Sequence, residues 1–338
     1  MNKEITQELE IFKKINSRNY DSSCCFLCGE DINENSLTSE HVIPRWLQKR
    51  FNLWDQRIIL LNQTSCPYRY LKIPCCKRCN NVYLKPIEDE LKLRFESGFK
   101  EFKKINKEIL FFWLGKIYYG ILYREMSLLL DRSDIKKGFM MSSAFMKSFS
   151  SHWMFLQGIR GKHKFQDFFP ASIFIFRTQK PKEIKLQWDF MDNLQSMFIA
   201  IRMGEIGVIA VLQDGETQEK MKNLLNDFFK IPLHPIQFQE VAAQISYKSL
   251  LLNRVSKYVS IEQGNCIKTL QMPLTGHSSK PLFDKWDHIQ YMKILSSYMR
   301  ISSDTFNSVP ADKSITYIKN KEGKIHFMDI KKYPFVKN

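Results

Sequence analysis

Seven of the eight cysteines fall between positions 24 and 79, as CCFLC (24–28), Cys66 and CCKRC (75–79), while Cys266 stands apart. Cys25-Phe26-Leu27-Cys28 and Cys76-Lys77-Arg78-Cys79 are two CxxC pairs, the spacing at which two thiolates of one tight turn reach the same tetrahedral zinc. Two such pairs complete a four-thiolate shell, and in a reducing compartment this clustering favours metal ligation over disulfides. Cys24 and Cys75 precede the pairs, so either pair could shift by one residue; the CxxC choice keeps both turns alike. Cys66 and Cys266 read as ordinary buried thiols. The stretch between Cys28 and Cys76 is longer than the roughly 15 to 20 residues of a simple zinc ribbon, so a further segment is inserted between the knuckles.

Inside that insertion, SEHVIPRW (39–46) sets Glu40 beside His41, and Asn80-Asn81 follow the last knuckle cysteine. A closed four-thiolate shell does not need His41. Taken together, CFLC, EHVIP and CKRCNN, over roughly residues 24–97, resemble the HNH family of the His-Me finger nucleases. The resemblance implies a ββα unit in which a strand and loop carry the histidine, a second strand returns, and a helix supplies another metal-site residue. By position it makes His41 the general base and Glu40 an acidic ligand. Asn80 becomes the third motif residue, with Asn81 as the fallback if the register is off by one.

These residue types suit phosphodiester hydrolysis. An imidazole titrates near neutral pH and can deprotonate water. Oxygen ligands such as Glu40 and Asn80 suit a hard catalytic cation, Mg²⁺ or Mn²⁺, leaving zinc a structural role. Arg45, Lys49, Arg50, Lys77 and Arg78 flank the motifs, and Arg45, Lys77 and Arg78 are the expected backbone-phosphate contacts. One departure stands out. The family's middle Asn, which braces the histidine loop, would fall near Leu71 in RYLKIPCC, where no Asn stands; Asn62 is the nearest candidate.

The elements that must position these groups follow from local patterning. Residues 1–20 read as an amphipathic arm or helix. The cysteine-bearing segment is poor in helix signals until Pro86, which suits a first helical turn. From there acidic residues come early and lysines late, as a helix dipole prefers. ILFFWLGKIYYGILYREMSLLL (109–130) is interrupted by Lys116, Arg124 and Glu125, too early for a membrane span, and reads as a buried helix.

After Pro170 the period becomes two. SIFIF, IKLQWDF, SMFIAIRM and IGVIAVL predict an antiparallel sheet, and the alternation of Ile184, Leu186, Trp188 and Phe190 predicts one wet face. Helices are expected at about 216–229, 237–257 and 284–301, and SITYIKNKEGKIHFMDI (314–330) reads as a closing β-hairpin. No internal repeat is visible. The expected fold class is α+β: an N-terminal zinc-stapled ββα unit (21–108) after the arm (1–20), then a larger α+β recognition or regulatory domain with an antiparallel sheet (109–338).

The chain carries 51 Lys+Arg against 35 Asp+Glu, a formal charge of +16, which points to a polyanionic partner. Residues 1–110 hold 19 basic and 15 acidic residues, so most of the surplus lies beyond them. The N-terminus is charged throughout and lacks an apolar signal core, so a cytoplasmic protein with no membrane partner is expected. The reading is a metal-dependent endonuclease, acting most readily on double-stranded DNA, with a homo-oligomeric or regulatory partner to account for the C-terminal region. By analogy of layout it resembles nucleases of antiphage defence or restriction. A non-catalytic zinc module that binds nucleic acid or protein, and an RNA-directed nuclease, are the competing readings.

Overall fold

In the computed structural model, residues 23–254, 256–263, 266–272, 279–320 and 322–336 are described; the expected N-terminal arm lies outside them. Strands run in chain order β1 (Leu37–His41), β2 (Arg57–Ile59), β3 (Ser65–Pro67), β4 (Lys72–Cys76), β5 (Leu129–Asp131), β6 (Asp134–Phe139) and β7 (His163–Phe165). They continue as β8 (Ser172–Arg177), β9 (Trp188–Asn193), β10 (Phe198–Met203), β11 (Ile206–Val211), β12 (Tyr258–Gln263) and β13 (Cys266–Gln271). The principal helices are α1 (Arg45–Arg50), α2 (Lys85–Glu96), α3 (Lys107–Glu125), α4 (Ser150–Leu156), α5 (Pro235–Leu250) and α6 (His288–Met299). The mixed α+β class with antiparallel sheets is as the sequence predicts.

The chain forms two compact units, divided differently from the expected 21–108 and 109–338. The first comprises residues up to Glu96, Ile105–Phe168 and Tyr258–Leu270; the second comprises Ser97–Lys104, Phe169–Lys257 and the chain from Gln271 on. The buried helix therefore goes with the cysteines. α3 is apolar all round, and a helix of that kind must be covered on every side.

In the first unit β1 and β4 pair antiparallel, from Leu37 opposite Cys76 to His41 opposite Lys72. After β4 the chain passes through a wide π-type turn (Cys79–Leu84) into α2. Among the described residues before Pro86 there are also a short α-helix, α1, which starts after Pro44, and a single 3-10 turn at Tyr68–Tyr70. Asn106 caps α3 by accepting from the backbone N–H groups of Glu108 and Ile109, at 2.8 and 3.3 Å. From α4 and the turn after it, the Trp153 indole donates to the Phe26 carbonyl (3.0 Å) and the Gln157 amide to that of Leu27 (2.9 Å), holding the first knuckle from behind. β13 lies between β12 and β7 and runs parallel to β7.

The second unit is built on the sheet β8-β11-β10-β9, antiparallel throughout. Phe174, Phe176, Phe198, Ala200, Ile209 and Val211 pack with Phe238, Val241, Ala242 and Ile245 of α5. The expectation of one wet face is corrected: every residue of β10 and β11 is buried. Ile184–Leu186 forms a tight turn outside β9, so the alternation that suggested a half-exposed strand spans two different structures. Arg202 on β10 is buried too; its guanidinium donates to Asp189 at 2.5 Å and to the Leu186 carbonyl at 2.6 Å.

The expected closing hairpin reduces to a bridge between Lys319 and Ile325. Its neighbours turn to α5 instead. Gln237 donates to the carbonyls of Tyr317 and His326, and Glu240 accepts from Thr316 and from the Tyr317 N–H. α5 starts two residues earlier than its pattern suggests, because His234 caps it and Pro235 fits its first turn.

A Cβ added at Gly207 would lie 2.4 Å from Cε2 of the fully buried Phe238. Gly207→Ala is expected to destabilise the protein by about 1–3 kcal/mol through overpacking. Urea denaturation would read this as a lower midpoint at unchanged slope, and an unchanged midpoint would contradict the packing of α5 on β11.

Candidate metal centre and His41 site

The first knuckle is a tight turn. Gly29, at φ 72°, sends its N–H back to the Cys25 carbonyl (2.8 Å), and the Cys25 N–H donates to the Glu30 carbonyl (2.8 Å). The positive φ falls where only glycine is unstrained, which is what lets the chain reverse directly after Cys28. The second knuckle joins the end of β4 to the π-type turn. There the Cys79 N–H points at the Cys76 sulfur (3.4 Å), and the Cys76 N–H points at the Cys25 sulfur (3.4 Å).

The sulfurs of Cys25, Cys28, Cys76 and Cys79 all lie within 4.8 Å of one another, with Cys28 and Cys76 at 3.9 Å. A tetrahedral zinc with bonds near 2.3 Å requires sulfurs about 3.8 Å apart. The four cysteines can thus hold a metal ion such as zinc. Among the described residues they are the one group of three or more His, Cys, Asp or Glu placed closely enough to share an ion.

The register left open by Cys24 and Cys75 is resolved. Cys24 donates to Asp31 (3.4 Å), and Cys75, although its thiol also donates to Cys25, is outside the group of four. Donation from Cys28, Cys75, Cys76 and Cys79 holds the Cys25 thiol far below the ordinary thiol range. Donating to Cys25, together with burial, pushes the thiols of Cys28, Cys76 and Cys79 up. One thiolate in the cluster opposes the next, and a divalent cation at its centre removes that opposition.

His41 ends β1 at the other end of the ladder. Its ring lies 6.2 Å from that of Trp54 and is half-buried, and its Nε2 is closed off from solvent with no hydrogen-bond partner. Burial, then the charges of Lys72, Arg45 and Lys116, lower its pKa to about 4, so the imidazole is neutral at neutral pH. Lys72 stands directly across the ladder, and the Arg45 guanidinium lies 6.0 Å over the Trp54 ring.

Glu40 is placed differently. Successive side chains of a strand point to opposite faces, so Glu40 and His41 diverge. Glu40 is buried and its carboxylate forms an ion pair with Lys116, whose ammonium also bonds Glu88 (2.9 Å) and the His41 carbonyl (2.9 Å). Burial raises the Glu40 pKa against the pull of Lys116.

Asn80 shares the Glu40 side of β1. Its amide donates to Thr38 Oγ1 (3.1 Å), which itself donates to the Cys75 carbonyl (2.7 Å). The expected site of Glu40, His41 and Asn80 is corrected accordingly. Glu40 is paired with Lys116 and Asn80 with Thr38, and the residues do not fit a hard catalytic cation, because the carboxylate that would hold it is already neutralised by an ammonium from α3.

Lys77 and Arg78 lie exposed at the four-cysteine end of the ladder, Arg78 stacked 5.7 Å from the Tyr83 ring, whereas Arg45 and Lys72 stand at the His41 end. Asn62 does not brace the His41 loop; it donates to the Leu129 carbonyl (2.9 Å) and accepts from the Thr64 N–H. Sequence reasoning missed Lys72, Trp54, Glu88 and above all Lys116. The signal for Lys116 was present, since a lysine in the middle of an apolar helix is buried only with a partner.

The chain matches no family model, no curated protein and no solved structure. Among the described residues no helix is long and apolar enough to cross a membrane.

The metal centre makes a graded prediction. Cys76→Ser and Cys28→Ser should each lose most of the bound zinc and lower the unfolding temperature, while Cys24→Ser and Cys75→Ser should keep one zinc per chain. Elemental analysis of the purified proteins checks this, and equal losses in all four variants would refute the assignment of ligands.

Proposed function

We propose that the chain is an endonuclease of the HNH type that hydrolyses phosphodiester bonds, with His41 as the general base. The observation that supports this best is the state of the His41 ring: neutral, half-buried, with one nitrogen lacking a partner, and faced by the cations Arg45 and Lys72. An orphaned imidazole nitrogen costs stability and is retained most readily where the ring has work to do. Arg45 and Lys72 would hold the scissile phosphate and offset its developing charge, and the +16 surface would draw a nucleic acid to them. DNA is the preferred substrate of this reading, and RNA is a test outcome.

The four-cysteine centre supports the reading as scaffold. When bound, zinc supplies a rigid link between the two knuckles, and the reacting groups belong to the protein. A second reading, a zinc-stabilised module that binds nucleic acid without cutting it, is favoured by one observation, the engagement of Glu40 with Lys116.

Two measurements decide. Purified protein incubated with plasmid DNA and with RNA, in Mg²⁺, Mn²⁺ or EDTA, should cut the DNA. His41→Ala should reduce the rate by at least about 100-fold, the scale of a lost general base; retention of wild-type cutting refutes the assignment. The pH profile gives the second measurement. With a pKa near 4, His41 is fully unprotonated at neutral pH, and the base form is lost only as pH falls through that value. The acid limb of kcat/KM should therefore lie near pH 4, and a limb at the ordinary histidine value of about 6.5 would mean that the ring is solvated during the reaction.

A further inference from the structure

The ammonium of Lys116 stands where a cation bridging two carboxylates would be expected. It reaches Glu40 and Glu88 Oε1 (2.9 Å) on one side, and the carbonyls of His41 (2.9 Å) and Val42 (3.5 Å) on the other. We propose that Lys116 is this protein's resident substitute for a divalent cation beside His41, so that Glu40 and Glu88 hold an ammonium and no Mg²⁺ or Mn²⁺.

Three features of the first unit support the assignment. First, the site is closed around the ammonium and Glu40, with Glu88 alone part-exposed. The Lys116 side chain is 2% exposed and that of Glu40 9%, whereas a catalytic cation must touch both its ligands and the substrate. Burial opposes the lysine's charge, but the two carboxylates more than offset it and hold its pKa above the ordinary lysine range.

Second, α3 is shaped to deliver the group. Gly120, one turn after Lys116, lies so near Val42 and Ile73 that an added Cβ would sit 3.0 Å from both Val42 methyls and 3.2 Å from Ile73 Cδ1. A larger residue there would push α3 away from β1 and β4 and withdraw the ammonium.

Third, Lys116 supplies a brace that the motif lacks. At Leu71, where the resemblance calls for an Asn, the side chain is aliphatic and fully buried, and the main chain contributes one bond to the His41 segment, its carbonyl to the Val42 N–H (3.0 Å). The His41 and Val42 carbonyls are held instead from α3, by the same ammonium that neutralises Glu40. Lys116 is thus a positioning residue. It does not reach the substrate but fixes the strand end that presents the imidazole.

The inference rests on the nuclease reading only in taking His41 as the reacting group, and its test uses no substrate. Mn²⁺ is titrated into zinc-loaded full-length protein and followed by electron paramagnetic resonance. Wild type and Glu40→Gln should give the same isotherm, with no site that depends on Glu40. Lys116→Gln leaves two carboxylates facing each other and should gain one Mn²⁺ per chain, a gain abolished in Lys116→Gln/Glu40→Gln.

One Mn²⁺ per wild-type chain that disappears in Glu40→Gln would overturn the proposal, as would a folded Lys116→Gln protein that gains no site. Should Lys116→Gln fail to fold, the comparison of wild type with Glu40→Gln decides alone. A protein that cuts no nucleic acid would sink the nuclease reading and leave the Mn²⁺ result intact.

Discussion

The convergence of four sulfurs from two distant turns is the constraint on which the first unit depends. Cys76 closes β4, and Leu37 is its partner across the ladder, so fixing Cys76 against Cys25 and Cys28 fixes which residue of β1 meets which residue of β4. A slip of one residue would send every side chain of β1 to the other face and exchange the environments of Glu40 and His41. A two-stranded ribbon has too little buried surface to resist that slip alone. It is pinned at one end by the cysteines and at the other by the Val42–Leu71 bond and the Lys116 ammonium.

The electrostatics at the His41 end turn on the same arrangement. Desolvation and three nearby cations discourage a proton on the ring, and a neutral imidazole is the form that can accept one. A neutral imidazole and a group of cations are thereby compatible in one small area: the charges that would hold an anion also keep the ring unprotonated. The carboxylates Glu40 and Glu88 would work against both effects if they faced the ring uncompensated. Lys116 neutralises them on the far side of β1.

What could be read from the sequence was what is encoded locally. CxxC spacing names both cysteine turns, because a knuckle is a local structure, and the short β-rich runs after Pro170 each overlap one of the four strands of the sheet. The partners of Glu40 could not be read, since Lys116 lies 75 residues beyond His41 in the chain and reaches it only because α3 packs on β1 and β4. The burial of β10 and β11 was hidden for a related reason: alternation reports on one face at a time, and a strand covered on both sides has none to show. In the C-terminal segment, sequence correctly placed a turn near Gly323 but not the side chains of α5, which take up hydrogen bonds that a longer hairpin would have used.

The parallel pairing of β13 with β7 joins Ile267 to His163 and Thr269 to Phe165, and the whole sheet core of the second unit lies in the chain between them. During synthesis the first unit therefore cannot place the central strand of its β12-β13-β7 sheet until about a hundred residues beyond β7 have emerged, although the four clustered cysteines Cys25, Cys28, Cys76 and Cys79 are available much earlier. Such a loop is costly to close before its contacts form. Early metal capture would give the nascent chain a fixed point while that sheet waits, because the connectivity supplies the knuckles first and β13 last.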